Sequence, residues 1–235
     1  MALQEQLLAA VGDHRGQDAA DRLCYACVTI FGVDAAAISA VFDGTNMGTV
    51  GVSAPTARTY DELQFTLGEG PCLDAVELRS PVMAEDLEDP SELRWPAYRP
   101  AILAHRIRSV HATPVVVAGE YVGALDLFRS QPGSWPGDTA AGALIVAELA
   151  KVPFLDLLTD DVAMAISDPA SDAWAELGVF ARAEVSQATG MLVAQLDVTP
   201  AVALVRLRAH AYATGRTATE VARDIIDRRL RLDAD

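Results

Sequence analysis

The pattern of apolar and polar positions divides the 235-residue chain into an N-terminal portion with both strand and helix periodicities and a C-terminal portion with helical periodicity alone. Residues 1–33 read as two helices. The first runs to about Val11, the chain breaks near Gly12–Gly16, and Ala19–Phe31 then turns Leu23, Cys27, Ile30 and Phe31 inward before Gly32 ends it. Ala36–Phe42 alternates toward Asp43-Gly44, a pair suited to a tight hairpin turn, and Met47–Ser53 is the return strand. Arg58–Leu67 reads as a partly helical connection. A turn at Gly68–Gly70 leads into a helix with Pro71 at its first position, where a missing N–H is no loss. Pro81–Ala84 is a short strand and Trp95–His105 a helix. Ser109–Val117 and Tyr121–Phe128 form a second hairpin about Ala118-Gly119-Glu120, and Asp138–Leu158 is a long helix. This order predicts an α+β fold, an antiparallel sheet covered by helices.

Asp160, Asp161, Asp168, Pro169 and Ser171 then interrupt the apolar pattern and mark residues 159–171 as a linker between a unit over 1–158 and a unit over 172–235. In the second unit, Ser171 or Asp172 starts a helix that carries Trp174, Leu177, Phe180 and Val185 and is expected to continue unbroken to Leu196. Thr199-Pro200 starts the next, with Ala203, Leu204, Leu207 and Ala211 on one stripe and Gly215 beyond its end. Thr217 and Glu220 form a capping box before Val221, Ala222, Ile225 and Ile226. Gly190 stands inside an apolar helix, where it costs roughly 1 kcal/mol against Ala. It serves either close helix packing or a shallow surface that a nucleobase can approach.

Composition sharpens the division. The chain is 51% hydrophobic and 22% charged, with a net charge of −15. Such acidity argues against a general nucleic-acid binder. The charge is uneven, however: residues 181–235 hold 8 Arg against 7 Asp and Glu, and the acid lies N-terminal to them. No basic leader opens the chain, and no apolar run approaches the ~18 residues needed to span a bilayer. A cytoplasmic protein without membrane contact is expected.

Catalytic constellations are missing from the sequence. There is no Gly-x-Ser-x-Gly, no phosphate-binding loop and no His–Glu pair at zinc spacing, so the chain is not read as an enzyme. The four His residues are scattered and none is assigned to a metal. Cys24 and Cys27 share one helix, as buried thiols or as a redox pair. Cys72 sits at a helix start, where a thiolate is favoured, and is either reactive or part of the core.

Two resemblances follow from particular residues. Leu67-Gly68-Glu69-Gly70-Pro71-Cys72, Arg94-Trp95-Pro96-Ala97-Tyr98 and Val122–Phe128 resemble a GAF domain over roughly residues 15–150. That resemblance implies a small-molecule pocket whose ligand it does not name, with Phe42, Tyr98, Val116 and Leu125 as candidate lining residues that core packing explains equally well. Gln187–Leu192, then Ala203, Leu207 and Ala211, then Val221-Ala222 resemble the ANTAR family of three-helix RNA-binding antitermination modules. Thr189 stands where many members carry Lys, and Ala218 where many carry Leu. The resemblance implies a transcription antitermination regulator that binds hairpin loops in leader RNA. Ala188, Thr189 and Gly190 would let a base approach. Arg208 and Arg216 would hold phosphates, and Tyr212 would either stack a base or cover the helix. Unburied apolar stripes on helices 138–158 and 172–195 predict a homodimer. The alternative, favoured by Thr189 and by the overall acidity, is a ligand-sensing or interaction module whose helical bundle docks a protein.

Overall fold

The structure is a computed structural model that describes residues 2–42, 44–157 and 182–233. The linker over 159–171, the helix start over 172–181 and Asp43 of the first hairpin lie outside the described residues.

Helices α1 (Leu3–Val11) and α2 (Gly16–Phe31) precede strands β1 (Ala35–Phe42) and β2 (Thr45–Val52). Helices α3 (Pro55–Leu67) and α4 (Pro71–Glu77), strand β3 (Val82–Ala84) and helix α5 (Tyr98–Ala104) follow. Strands β4 (Ser109–Val117) and β5 (Glu120–Arg129) then lead to α6 (Gly137–Leu149) and α7 (Lys151–Leu157). The sheet is antiparallel throughout, in the order β2-β1-β5-β4-β3. Strand alternation gives each face its own core. Ile38, Leu125 and Leu127 point to one face and pack with Leu23 and Cys27 of α2 and with Val146 of α6. Ala37, Ala124 and Phe128 point to the other and pack with Cys72 of α4 and with Tyr98 and Ile102 of α5. The result is a sheet between two helical layers, as expected for the α+β class.

Two local expectations change. The predicted partly helical connection is a full helix, α3, begun by Pro55 and ended by Gly68 in the left-handed region (φ 69°). The predicted helix over 138–158 is two helices meeting at Ala150. Pro153 explains the break: it lacks the N–H that would bond Leu149, and its ring crowds that carbonyl.

The C-terminal unit contains α8 (Ala183–Leu196), α9 (Pro200–Ala213) and α10 (Ala218–Ile226). Each helix touches the other two. Val185, Ala188, Leu192, Ala203, Leu207, Ala211, Val221, Ala222 and Ile225 form their common core. Thr199 and Thr217 cap α9 and α10 as their sequence predicts. The continuous helix expected over 172–196 does not form: Arg182 is left-handed (φ 49°, ψ 58°), so α8 starts afresh after it.

Candidate functional site

A polar cluster lies sealed under the α3–α5 side of the sheet. Its centre is Asp61, which is fully buried. One carboxylate oxygen, Oδ1, accepts from the Ser39 hydroxyl and from Asn46 Nδ2 at 2.6 Å. Oδ2 accepts from Thr49 Oγ1 at 2.5 Å and from Arg182 Nη2 at 3.0 Å. Asp61 and Gln64 are three residues apart on α3 and therefore project from the same helix face. Gln64 Nε2 donates to Asp126 Oδ2 at 2.6 Å, and Gln64 Oε1 accepts from the Cys72 backbone N–H at 2.8 Å. Asp126 enters from β5 because its neighbours Leu125 and Leu127 take the other face.

Among the described residues, three buried side-chain atoms of this cluster have no hydrogen-bond partner, Asp126 Oδ1, the Tyr98 hydroxyl and Arg182 Nε, and Asp126 and Tyr98 are fully buried. Burial pushes the Asp126 carboxyl up to about 8, reinforced by the negative charge of Asp61 and opposed by the Gln64 bond. Burial likewise drives the Cys72 thiol well above its ordinary value, with Asp126 and Asp61 adding to the effect. The helix start expected to favour a Cys72 thiolate is outweighed by desolvation. Cys24 and Cys27 are buried free thiols on the opposite face, also raised by burial, Cys27 to about 12. One ligand atom each from Asp61, Cys72 and Asp126 lies within 4.8 Å of the others.

The two GAF-like sequence segments lock the wall of this site together. Glu69 Oε1 accepts the backbone N–H of Ala97 (2.6 Å) and Tyr98 (2.8 Å), so the acid of the glycine turn caps α5. Trp95 Nε1 donates to Asp74 Oδ2 at 2.9 Å. Of the candidate lining residues, Tyr98 belongs to the cluster. Leu125 is on the opposite face by strand parity, and Val116 is half-buried on β4. Phe42 ends β1, and its side chain lies outside the described residues. The sequence reading missed Ser39, Asn46, Thr49, Asp61, Gln64, Asp126 and Arg182. Asp126 carried a signal, a lone acid at an inward position of an apolar strand. An open groove of about 910 Å³ near α2, lined by His14, Asp18, Asp21, Tyr25 and Arg58 among others, contains none of these residues.

Helix α3 also seats the C-terminal unit. Phe65 projects into the core of the three-helix bundle. It lies between two guanidinium groups, Arg182 at 4.4 Å and Arg208 at 4.3 Å from its ring centre. Thr66 Oγ1 accepts the Ala218 N–H at 3.0 Å, and Glu62 Oε1 accepts the Thr219 N–H at 3.1 Å. Thr217 Oγ1 accepts the Glu220 N–H at 3.2 Å. The first three N–H groups of α10, which have no partner inside their own helix, are thus satisfied partly by the other unit.

The candidate RNA-contacting residues are dispersed. Gly190 is exposed, and a Cβ added there would meet nothing within 4 Å among the described residues, which show no close helix packing at this position. Ala188 is fully buried, and the Thr189 hydroxyl donates to the Val185 carbonyl at 2.7 Å. Tyr212 is 61% exposed. Arg216 is tied to Asp224 at 2.8 Å and to the Glu220 carbonyl at 3.0 Å. Arg208 turns toward Phe65 rather than toward solvent, and burial and the nearby Arg182 lower its pKa.

Comparisons with known proteins agree with this architecture. The GAF domain family profile matches residues 16–167, and the chain belongs to that family. The ANTAR domain profile matches residues 179–226, the three-helix unit. The structure is similar to the GAF domain of a phosphoenolpyruvate-protein phosphotransferase from Coxiella burnetii, at 14% identity and TM-score 0.52, covering 72% of this chain and 95% of that one. It is also similar to the GAF domain of an Acinetobacter phosphoenolpyruvate-protein phosphotransferase, at 13% identity and TM-score 0.50, covering 68% and 94%. These likenesses establish the fold. No curated protein matches the sequence. Both matched domains are regulatory rather than catalytic, and the pairing is that of a signal-regulated antitermination regulator. No single helix among the described residues is long and apolar enough to cross a membrane.

Proposed function

We propose that the chain is a non-catalytic, cytoplasmic antitermination regulator in which a sensor over residues 1–158 controls an RNA-binding output over 172–235 through the linker 159–171. The output binds hairpin loops of leader RNA. The observation that carries this reading is the ANTAR-type bundle itself, which buries its apolar stripes yet leaves Tyr212 and Gly190 open to solvent. Unpaired loop bases stack on an exposed aromatic ring, and loops are where RNA sequence is accessible to a protein. The experiment is binding of the full chain to a two-hairpin leader RNA, with loop-scrambled controls across a salt series. Loop-dependent binding that weakens roughly fivefold or more in Tyr212→Ala, the loss of one stacked base, supports the reading.

A second reading has its own support. The bundle already docks a protein surface, α3, through Arg182 and Arg208. Binding indifferent to loop sequence would favour an output that docks a protein partner instead. Homodimerisation is part of the proposal. Leu144 on α6 and Val152 and Leu155 on α7 are 55%, 42% and 53% exposed, apolar surface suited to a second copy. A chain mass in solution that stays monomeric at high concentration would refute it.

A further inference from the structure

We infer that Asp61, Cys72 and Asp126 form a binding site for one divalent transition-metal ion of the Zn²⁺ or Fe²⁺ type, inside the sensor and reached by none of the RNA chemistry above. The three donors come from α3, α4 and β5, elements locked together by the sheet and its helical cover. Their ligand atoms already lie within 4.8 Å of one another. Ions of this class hold thiolate sulfur at about 2.3 Å and carboxylate oxygen at about 2.0–2.2 Å, so modest inward movement closes the set.

The independent observation is the unpartnered oxygen. Asp126 is fully buried within the cluster, and its Oδ1 has no hydrogen-bond partner among the described residues. An unpaired buried polar atom costs about 1–3 kcal/mol, a penalty that an ion at this position relieves. The surroundings resemble the outer shell of a metal site, in which ligands are oriented by further hydrogen bonds. Gln64 alone fixes two of the three ligands, through the Asp126 carboxylate and the Cys72 backbone N–H. The Tyr98 hydroxyl, also unpartnered, is available as a further oxygen donor. One sulfur among oxygens suits a borderline ion and disfavours Mg²⁺ and Ca²⁺, which take oxygen alone.

Asp61 already accepts four hydrogen bonds, so the ion takes the place of one donor. Arg182 is the donor that a cation repels. It is also the residue that immediately precedes α8, which makes the site a route from sensor to output. An arriving ion loosens the grip of Asp61 on the C-terminal unit.

The test uses metal-free full chain titrated with Co²⁺ alone and followed by absorption, with displacement by Zn²⁺. The expected result is one Co²⁺ per chain with a thiolate-to-metal charge-transfer band. Cys72→Ser abolishes the band. Asp126→Asn, which keeps an acceptor for Gln64, weakens binding more than about 10-fold. Cys24→Ala leaves both unchanged, because that thiol is on the other face of the sheet. Circular dichroism confirms that each variant is folded, and either ligand variant suffices if the other is not. A missing band, a band that survives Cys72→Ser, or affinity unchanged in Asp126→Asn overturns the site.

Discussion

His111 shows how a single side chain can set a pH limit on stability. It is 1% exposed on β4, edge-on to Trp135 at 5.3 Å between ring centres, with Nδ1 unpartnered among the described residues. Burial and then the charge of Arg129 lower its pKa from 6.5 to about 4. The native state therefore binds fewer protons than the unfolded chain between those values. The stability that rests on neutral His111 is complete above about pH 6.5 and is lost progressively as pH falls toward 4. The slope is about 1.4 kcal/mol per pH unit, and the total is on the order of 3 kcal/mol. His111→Leu removes this titration. The difference in urea unfolding free energy between the two proteins should be constant above about pH 6.5 and should shift in favour of the variant below it. A difference independent of pH down to about 4.5 would show that His111 takes up its proton as readily in the native state as in the unfolded chain.

At the scale of elements, the features legible in the sequence are those set by neighbours along the chain. The hairpin β4–β5, the Thr199 and Thr217 caps and the bundle stripes all depend on residues within one turn or one strand pair, and all form as read. Pro153 was equally local, and its presence inside the predicted helix was enough to expect the break between α6 and α7. The buried cluster was harder because its members are scattered. Asp61 meets Ser39, Thr49 and Arg182, which lie 22, 12 and 121 residues away, and no periodicity connects them. Leu125 is among the candidate lining residues, whereas strand parity puts its neighbour Asp126 in the site. The turn before α4 is legible in the sequence, but its purpose is visible only in three dimensions. Gly70 has φ +145°, and a Cβ there would fall 2.5 Å from Gln64 Oε1. Gly70→Ala should therefore cost about 2–4 kcal/mol, combining backbone strain with a displaced Gln64. A denaturant midpoint unchanged from wild type would mean that the turn relaxes freely and that Gln64 is not held against it.

At the scale of the whole molecule, α3 is shared property. Its inner side chains Asp61 and Gln64 organise the buried cluster, while Glu62, Phe65 and Thr66 hold the bundle. Arg182 joins the two, with a side chain only 9% exposed and paired to a fully buried carboxylate. Removing one member of such a pair leaves an uncompensated charge and costs about 3–5 kcal/mol. Arg182→Ala should release the bundle rather than unfold it, since the sheet unit and the bundle each have an apolar core of their own. Release would uncover Arg208 and the first N–H groups of α10, both suited to phosphate. If the output binds RNA as proposed, the full-length Arg182→Ala chain should therefore bind the two-hairpin leader several-fold more tightly than wild type, with a steeper salt dependence as Arg208 joins the contact. Hydrogen exchange should rise together at the α10 amides of Ala218 and Thr219, which lose their α3 partners. Faster exchange at those amides with unchanged RNA affinity would mean that α3 positions the bundle without masking it. Unchanged exchange would mean that Phe65, Glu62 and Thr66 hold the two units together without the ion pair.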